Sequence, residues 1–336
     1  MSMNRDFDYS LLAKLTQAFG PSGNEQQVAE IITDNVKDYV ESIVTDTMGN
    51  LIVRKKGNEQ KIMIVCHMDE VGIIVTHINK NGFLYYATVG GLKNTDMISK
   101  RVIFSNGTVG IIHKEKDETI DKKPEKLYID IGAANEQEAK ELVRVGDMAV
   151  ISGDFLENDS VIISKALDDR IGCFIALEVI RTVTSPYDLY FVFSAQEEVG
   201  ARGAKTAAYA IEADLAIIID TTFSYDTPKV QNNRVSLNNG VAIKVMDKSI
   251  VVSPAIKNWM AKIAAASDIP HQWEIITAGG TDSGPIHLTK GGIPTGGLAI
   301  PVRYLHSGNE IVGKKDITAG IDLLTALITT HLYFES

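Results

Sequence analysis

The chain reads as an α/β domain assembled from both ends of the sequence, residues 1–70 and 165–336, and interrupted by a β-rich insertion over 71–164. Three observations predict this. Helical periodicity alternates with short apolar runs up to about residue 70 and again after Ser164, which is the pattern of an α/β sheet. Between these stretches, short β-rich pieces are punctuated by Asn81-Gly82, Gly90-Gly91 and Asn106-Gly107, the texture of a small β-domain. Acids and histidines fall directly after apolar strands, where open α/β sheets bind ligands.

The elements follow in order. After the breaker cluster Gly20-Pro21-Ser22-Gly23, the residues Val28, Ile31, Ile32, Val36 and Tyr39 recur at helical spacing and predict a helix over about 24–40. Ser42 to Asp46 and Leu51 to Arg54 flank Met48-Gly49-Asn50 as a hairpin, and Lys61 to Cys66 is an apolar run short enough for a buried strand. In the insertion, Gly72 to Val75, Phe83 to Tyr86 and Arg101 to Phe104 read as strands. A helix over about 169–183, a strand over 189–193, a helix over 201–210 and a strand over 215–219 then resume the α/β alternation.

Composition bounds the function. With 33 Lys+Arg against 43 Asp+Glu the formal charge is −10, which argues against nucleic acid and anionic membrane surfaces as partners. Hydrophobic residues at 45% and charged residues at 23% suit a globular chain rather than a disordered one. The polar, acidic start from Met1 to Asp8 does not read as a signal peptide, and no run approaches the ~18 apolar residues of a spanning helix. Cys66 and Cys173 lie in apolar stretches and make no disulfide framework, which suits a reducing, cytoplasmic compartment.

Five segments at strand ends carry the chemistry: His67-Met68-Asp69-Glu70, Leu167-Asp168-Asp169-Arg170, Gln196-Glu197-Glu198, Asp220, and Tyr304-Leu305-His306-Ser307. Such a histidine and carboxylate set without thiolates suits Zn²⁺, Co²⁺ or Mn²⁺. Its carboxylate excess suits two metals about 3.5–4 Å apart that share a bridging carboxylate. Asp69 is spaced to accept the second ring N–H of His67 and fix its tautomer. Side chains of adjacent residues in an extended segment point to opposite sides, so one of Glu197 and Glu198 can ligate while the other faces a water as general base. Ordinary roles stand beside these. A histidine at a strand end is commonly a hydrogen-bonded structural residue, the class given to His77, His113, His271, His287 and His331; a Glu-Glu pair is commonly solvated; Asp169 can serve as a helix N-cap. Gly279-Gly280-Thr281-Asp282-Ser283-Gly284 lacks the Lys-Ser/Thr ending of a phosphate loop and reads as a tight turn near the site.

The ordered set H-M-D-E-V-G (67–72), A-L-D-D-R-I-G (166–172), S-A-Q-E-E-V-G-A-R-G-A (194–204), I-I-D (218–220), G-G-T-D-S-G (279–284) and R-Y-L-H-S (303–307) resembles the dinuclear-metal aminopeptidases that include glutamyl aminopeptidase and the tetrahedral TET aminopeptidases, some of which carry an endoglucanase label. The resemblance runs over nearly the whole chain. It implies a mixed-sheet metallopeptidase fold interrupted by a PDZ-like dimerisation domain, and two divalent ions, zinc or cobalt first and manganese next. Asp168 would bridge them, His67 and Asp220 would complete one site, and Glu198 and His306 the other. Glu197 would be the general base and Asp69 would support His67. It also implies short peptides as substrates and a dimer-based homo-oligomer, since many members form hollow dodecamers.

This chain departs from the family at Asp226-Thr227-Pro228-Lys229 and Leu237-Asn238-Asn239-Gly240-Val241, where two glycines and a proline of the family pattern are replaced. The substitutions spare every implied ligand and bear on specificity, so the glutamyl preference does not transfer; Arg303 is one candidate cation for an acidic first residue. A deacylase or dipeptidase on the same site is the alternative enzyme, and a scaffold that keeps the fold without activity is the non-enzymatic one. A glycosidase needs only two flanking carboxylates and leaves His67 and His306 unexplained.

Overall fold

A computed structural model describes residues 7–115, 127–230 and 235–332; the start of the chain, read above for a signal peptide, lies partly outside them. The apolar runs form the middle of an 11-stranded mixed sheet, where four parallel strands stand in the order Asp188–Ser194, Lys61–His67, Leu215–Phe223 and Thr295–Arg303. Antiparallel strands flank this centre. On one side lie Leu51–Lys55 and Ser42–Thr45, on the other Glu310–Gly313, Val161–Ser164 and Leu156–Glu157.

Parallel strands are buried on both faces, and period-2 alternation sends their side chains to two different cores. Ile62, Ile64 and Cys66 pack with Phe174 and Leu177 of the helix Leu167–Thr182, whereas Met63 and Val65 pack with Ala204, Ala207 and Ala208 of the helix Arg202–Ile211. The sheet is thus covered by helices on both faces. The helix Leu167–Thr182 is apolar nearly all round because it is wedged among the sheet and the helices Ser10–Gln17 and Lys314–Thr329. Among the described residues no helix is long and apolar enough to cross a membrane.

Between Glu70 and the return at Leu156 the chain builds a closed six-stranded barrel from Gly72–Ile78, Leu84–Val89, Leu127–Asp130, Val109–Lys114, Arg101–Phe104 and Met148–Ile151. Ile73, Val75, Leu84, Val102, Ile112 and Ile129 fill it as a core of its own. The strands Leu156–Glu157 and Val161–Ser164, expected inside the insertion, belong to the large sheet because Val161–Ser164 finds its partners in Glu310–Gly313.

Two helices differ from expectation. The one expected over 24–40 runs Gln26–Val36, and Tyr39, counted in its apolar stripe, is exposed. The barrel also contains a helix, Glu136–Leu142, capped by Asn135, whose side chain accepts the Glu138 N–H at 3.1 Å.

Candidate metal centre

Sheet register brings the site together. Ser194 pairs with His67, and Ile218 pairs with Val65, so that His67 and Asp220 come level on neighbouring strands. Asp168 opens the helix after Val161–Ser164, and Glu197, Glu198 and His306 lie on the turns that leave Asp188–Ser194 and Thr295–Arg303. Apart from Asp168, which follows an antiparallel-paired strand, these are the carboxyl ends of the parallel strands. Five non-glycine residues on these turns, Ala166, Gln196, Ala201, Tyr304 and His306, have φ between 51° and 62°. Left-handed backbone at such residues costs free energy and persists where surrounding contacts enforce it, as at functional sites.

The carboxylate of Asp168 divides between two histidines. Its Oδ1 lies 3.2 Å from His67 Nε2, and its Oδ2 lies 3.3 Å from His306 Nε2. Asp220 Oδ1 stands 3.8 Å from His67 Nε2, and Glu198 Oε1 stands 3.3 Å from His306 Nε2. Two clusters result, His67 with Asp168 and Asp220, and Asp168 with Glu198 and His306. Within each cluster the candidate ligand atoms lie within 4.8 Å of one another. Both histidines turn Nδ1 outward to an acceptor: His67 to the main-chain carbonyl of Asp69 at 3.1 Å, His306 to the carbonyl of Gly91 in the barrel at 3.1 Å.

Asp69 faces the second ring nitrogen of His67 and does more besides. Its Oδ1 is 3.5 Å from His67 Nδ1, farther than its own carbonyl. The carboxylate is occupied by other donors: Ser22 Oγ at 2.6 Å and the N–H groups of Glu197 at 2.9 Å and Glu198 at 3.1 Å. The two glutamates stand on a turn rather than an extended segment, with Gln196 at φ 59°. Glu198 joins the His306 cluster, and Glu197 joins neither. Both line a cleft of ≈ 880 Å³ whose lining also includes Tyr209, Lys205 and Leu288. The Gly279 to Gly284 turn borders the same cleft, and Asp282 on it accepts a hydrogen bond from Ser194 Oγ. Arg303 is committed elsewhere, to a bidentate pair with Asp226 at 2.8 and 2.6 Å.

Comparison with known proteins decides the family. A profile of the M42 glutamyl aminopeptidase family matches residues 49–323. The chain belongs to that family. A putative aminopeptidase of Acetivibrio thermocellus is 44% identical over 329 residues, covering 97% of this chain and 100% of the relative. Among solved structures, the TET aminopeptidase of a marine-sediment Thaumarchaeota archaeon is 34% identical with a TM-score of 0.91, over 95% of this chain and 96% of that one. The Pyrococcus horikoshii TET1 peptidase, described as assembling into a tetrahedron or a large octahedral shell, is 31% identical with a TM-score of 0.84, over 95% and 98%.

As an M42 aminopeptidase the chain is a metal-dependent hydrolase, and its donor set fits divalent ions. Burial pushes the carboxyls of Glu197, Asp220 and Glu198 above their ordinary range, and neighbouring carboxylates add to the push. Burial lowers His67 and His306, but hydrogen bonding to the facing carboxylates outweighs it, and the His306 imidazole rises to about 12. Burial likewise raises Asp168, while the two imidazoles bring it well below the carboxylate range. Carboxylates that crowd in low dielectric and hold protons on the histidines lack positive charge, which a divalent ion supplies. Among the described residues, buried Glu198 Oε1 has the His306 ring nitrogen at 3.3 Å but no contact of hydrogen-bond geometry, as an atom aimed at a cation would.

The M42 site also holds residues to which the sequence reading gave no role of their own. Glu310 is buried and accepts the N–H groups of Asp168 at 3.1 Å and His306 at 2.7 Å. Arg170 is wholly buried and donates to the carbonyls of Leu15, Met68, Ala18 and Gly20 and to Glu70, which is also paired with Lys165 at 2.6 and 2.8 Å. A cation embedded in the apolar run that follows Asp169 was the available signal for Arg170, since an arginine is fully buried only when paired. Nothing in the sequence marked Glu310.

Proposed function

We propose that this chain removes the first residue of short peptides, using two divalent ions, zinc or cobalt, held by His67 and Asp220 on one side, Glu198 and His306 on the other, and Asp168 between them. The observation that carries the reading is the Asp168 carboxylate, each of whose oxygens faces the imidazole of a different cluster. When bound, the ions supply Lewis acidity, acidifying a water and polarising the scissile carbonyl.

The remaining work falls to the chain's own groups. Glu197, beside both clusters and a member of neither, takes the proton of the attacking water and returns it to the leaving amine. Burial raises its carboxyl well above the ordinary value, which suits a group that must hold a proton between two steps. Asp69 fixes Glu197 by accepting its N–H at 2.9 Å. A free N-terminal ammonium is favoured by the surplus of carboxylates at the site, which directs cleavage to the first residue. The barrel insertion is proposed to dimerise, with dimers building a dodecamer. Two free, buried cysteines support a cytoplasmic setting.

The test is hydrolysis of Glu, Asp, Leu, Lys and Ala p-nitroanilides by chelator-stripped protein with Zn²⁺, Co²⁺ or Mn²⁺ restored, beside Glu197→Gln. The expected result is cleavage restored by metal and reduced by about 10² or more in a Glu197→Gln protein that still binds both ions. Activity persisting in the loaded variant removes Glu197 from the role. Protein that binds two equivalents yet cleaves nothing in the panel redirects the reading to a deacylase or dipeptidase.

A further inference from the structure

The helix Leu167–Thr182 begins at a left-handed residue, Ala166 at φ 52°, and His306 is itself left-handed at φ 60°. Both chain reversals leave a main-chain N–H without a regular partner. Asp168 has non-helical backbone (φ −79°, ψ 110°) ahead of the regular helix, and His306 lies in a loop. Buried N–H groups of this kind need an acceptor. One side chain serves both: Glu310 Oε2 accepts the Asp168 N–H at 3.1 Å, and Glu310 Oε1 accepts the His306 N–H at 2.7 Å.

Strand pairing sets Glu310 in that position. It is the first residue of Glu310–Gly313 and stands opposite Ser164, the last residue of Val161–Ser164, so it faces the segment that turns into Asp168. It follows His306 by four residues, across the loop it closes. Glu310 is 1% exposed. The nearby ammonium of Lys165 is held by Glu70 at 2.6 and 2.8 Å.

Resting on the two-ion reading above, we infer that Glu310 is a positioning residue that sets the separation of Asp168 and His306, and with it the affinity of the second metal site. The geometry uses both carboxyl oxygens as acceptors, one for each N–H. A glutamine keeps a single acceptor oxygen and turns an NH₂ toward the other N–H, so one of the two backbone anchors is lost. His306 belongs only to the second cluster, whereas Asp168 belongs to both. The loss therefore falls mainly on the second site.

The experiment is stepwise Zn²⁺ and Co²⁺ titration of chelator-stripped wild type and Glu310→Gln by competition with a chromophoric chelator, together with the visible spectrum of the cobalt forms. Circular dichroism of the metal-free proteins checks folding. Expected is a fall of about 10- to 100-fold in affinity for the second equivalent, the scale of losing a group that orients a ligand. The first equivalent should change less, and the cobalt band that grows with the second equivalent should shift. Unchanged constants, or equal losses at both equivalents, overturn the proposal. If Glu310→Gln does not fold, Glu310→Asp carries the test by the same criteria, because it keeps both acceptor oxygens one methylene shorter; failure of both to fold assigns Glu310 to folding and overturns positioning. Wild type that binds fewer than two equivalents fails the two-ion reading itself, a result distinct from two equivalents bound normally by the variant.

Discussion

At the residue scale the site is a matter of which acceptor each donor finds. Asp69 collects a hydroxyl and two main-chain N–H groups, and these contacts, with the His67 imidazole, outweigh burial and hold its carboxyl below the usual range. An amide in its place keeps one acceptor oxygen and frees the turn that carries Glu197 and Glu198. Asp69→Asn is therefore expected to lower kcat by about 10- to 100-fold with a smaller change in KM, checked by steady-state kinetics on protein shown to carry its metal. All five expected ligands come together because each sits in a short motif at a strand end, where residue type and local position are both visible in the sequence. Glu310 was illegible for the opposite reason: its partners are backbone amides, which have no sequence signature, and its neighbours Asp168 and His306 are supplied by strand pairing across the sheet.

At the scale of elements, apolar period and turn residues fixed the strands better than the helices. The hairpin of Ser42–Thr45 and Leu51–Lys55 was readable because Gly49, at φ 93°, suits its turn, and Asp46 accepts N–H groups from Met48 and Asn50 across it. The helix Glu136–Leu142 was not readable, because Ala139 is its only buried residue and no apolar stripe exists to detect. Close approach of elements leaves a different mark. On the helix Arg202–Ile211, a Cβ at Gly203 would lie 2.1 Å from Asn50 Oδ1 and 2.5 Å from the carbonyl of Ala195. Gly203→Ala must push that helix off the sheet, and thermal unfolding should register a loss of about 1–3 kcal/mol.

For the molecule as a whole, an acidic chain that buries carboxylates becomes pH-sensitive away from its site as well. Asp316 accepts the N–H groups of Asn238 at 2.7 Å and Gly240 at 2.8 Å, yet burial dominates and raises its carboxyl from 3.8 to about 7. A folded-state value above the unfolded one gives stability that is full below the unfolded value and lost as pH rises through the folded value. The window is therefore pH 4 to 7, and the loss is at most about 4 kcal/mol for a shift of some three units. Unfolding midpoints measured between pH 4 and 8 should fall more steeply in wild type than in Asp316→Asn, whatever the variant's overall stability.

The barrel adds a geometric property to this acid–base one. The chain leaves the large sheet just past His67 and returns just before Asp168, and between these points the barrel extends Gly91 to the outer nitrogen of His306. One imidazole of the pair is therefore oriented from the inserted barrel, through the carbonyl of Gly91, and the other from the segment that leaves the sheet, through the carbonyl of Asp69.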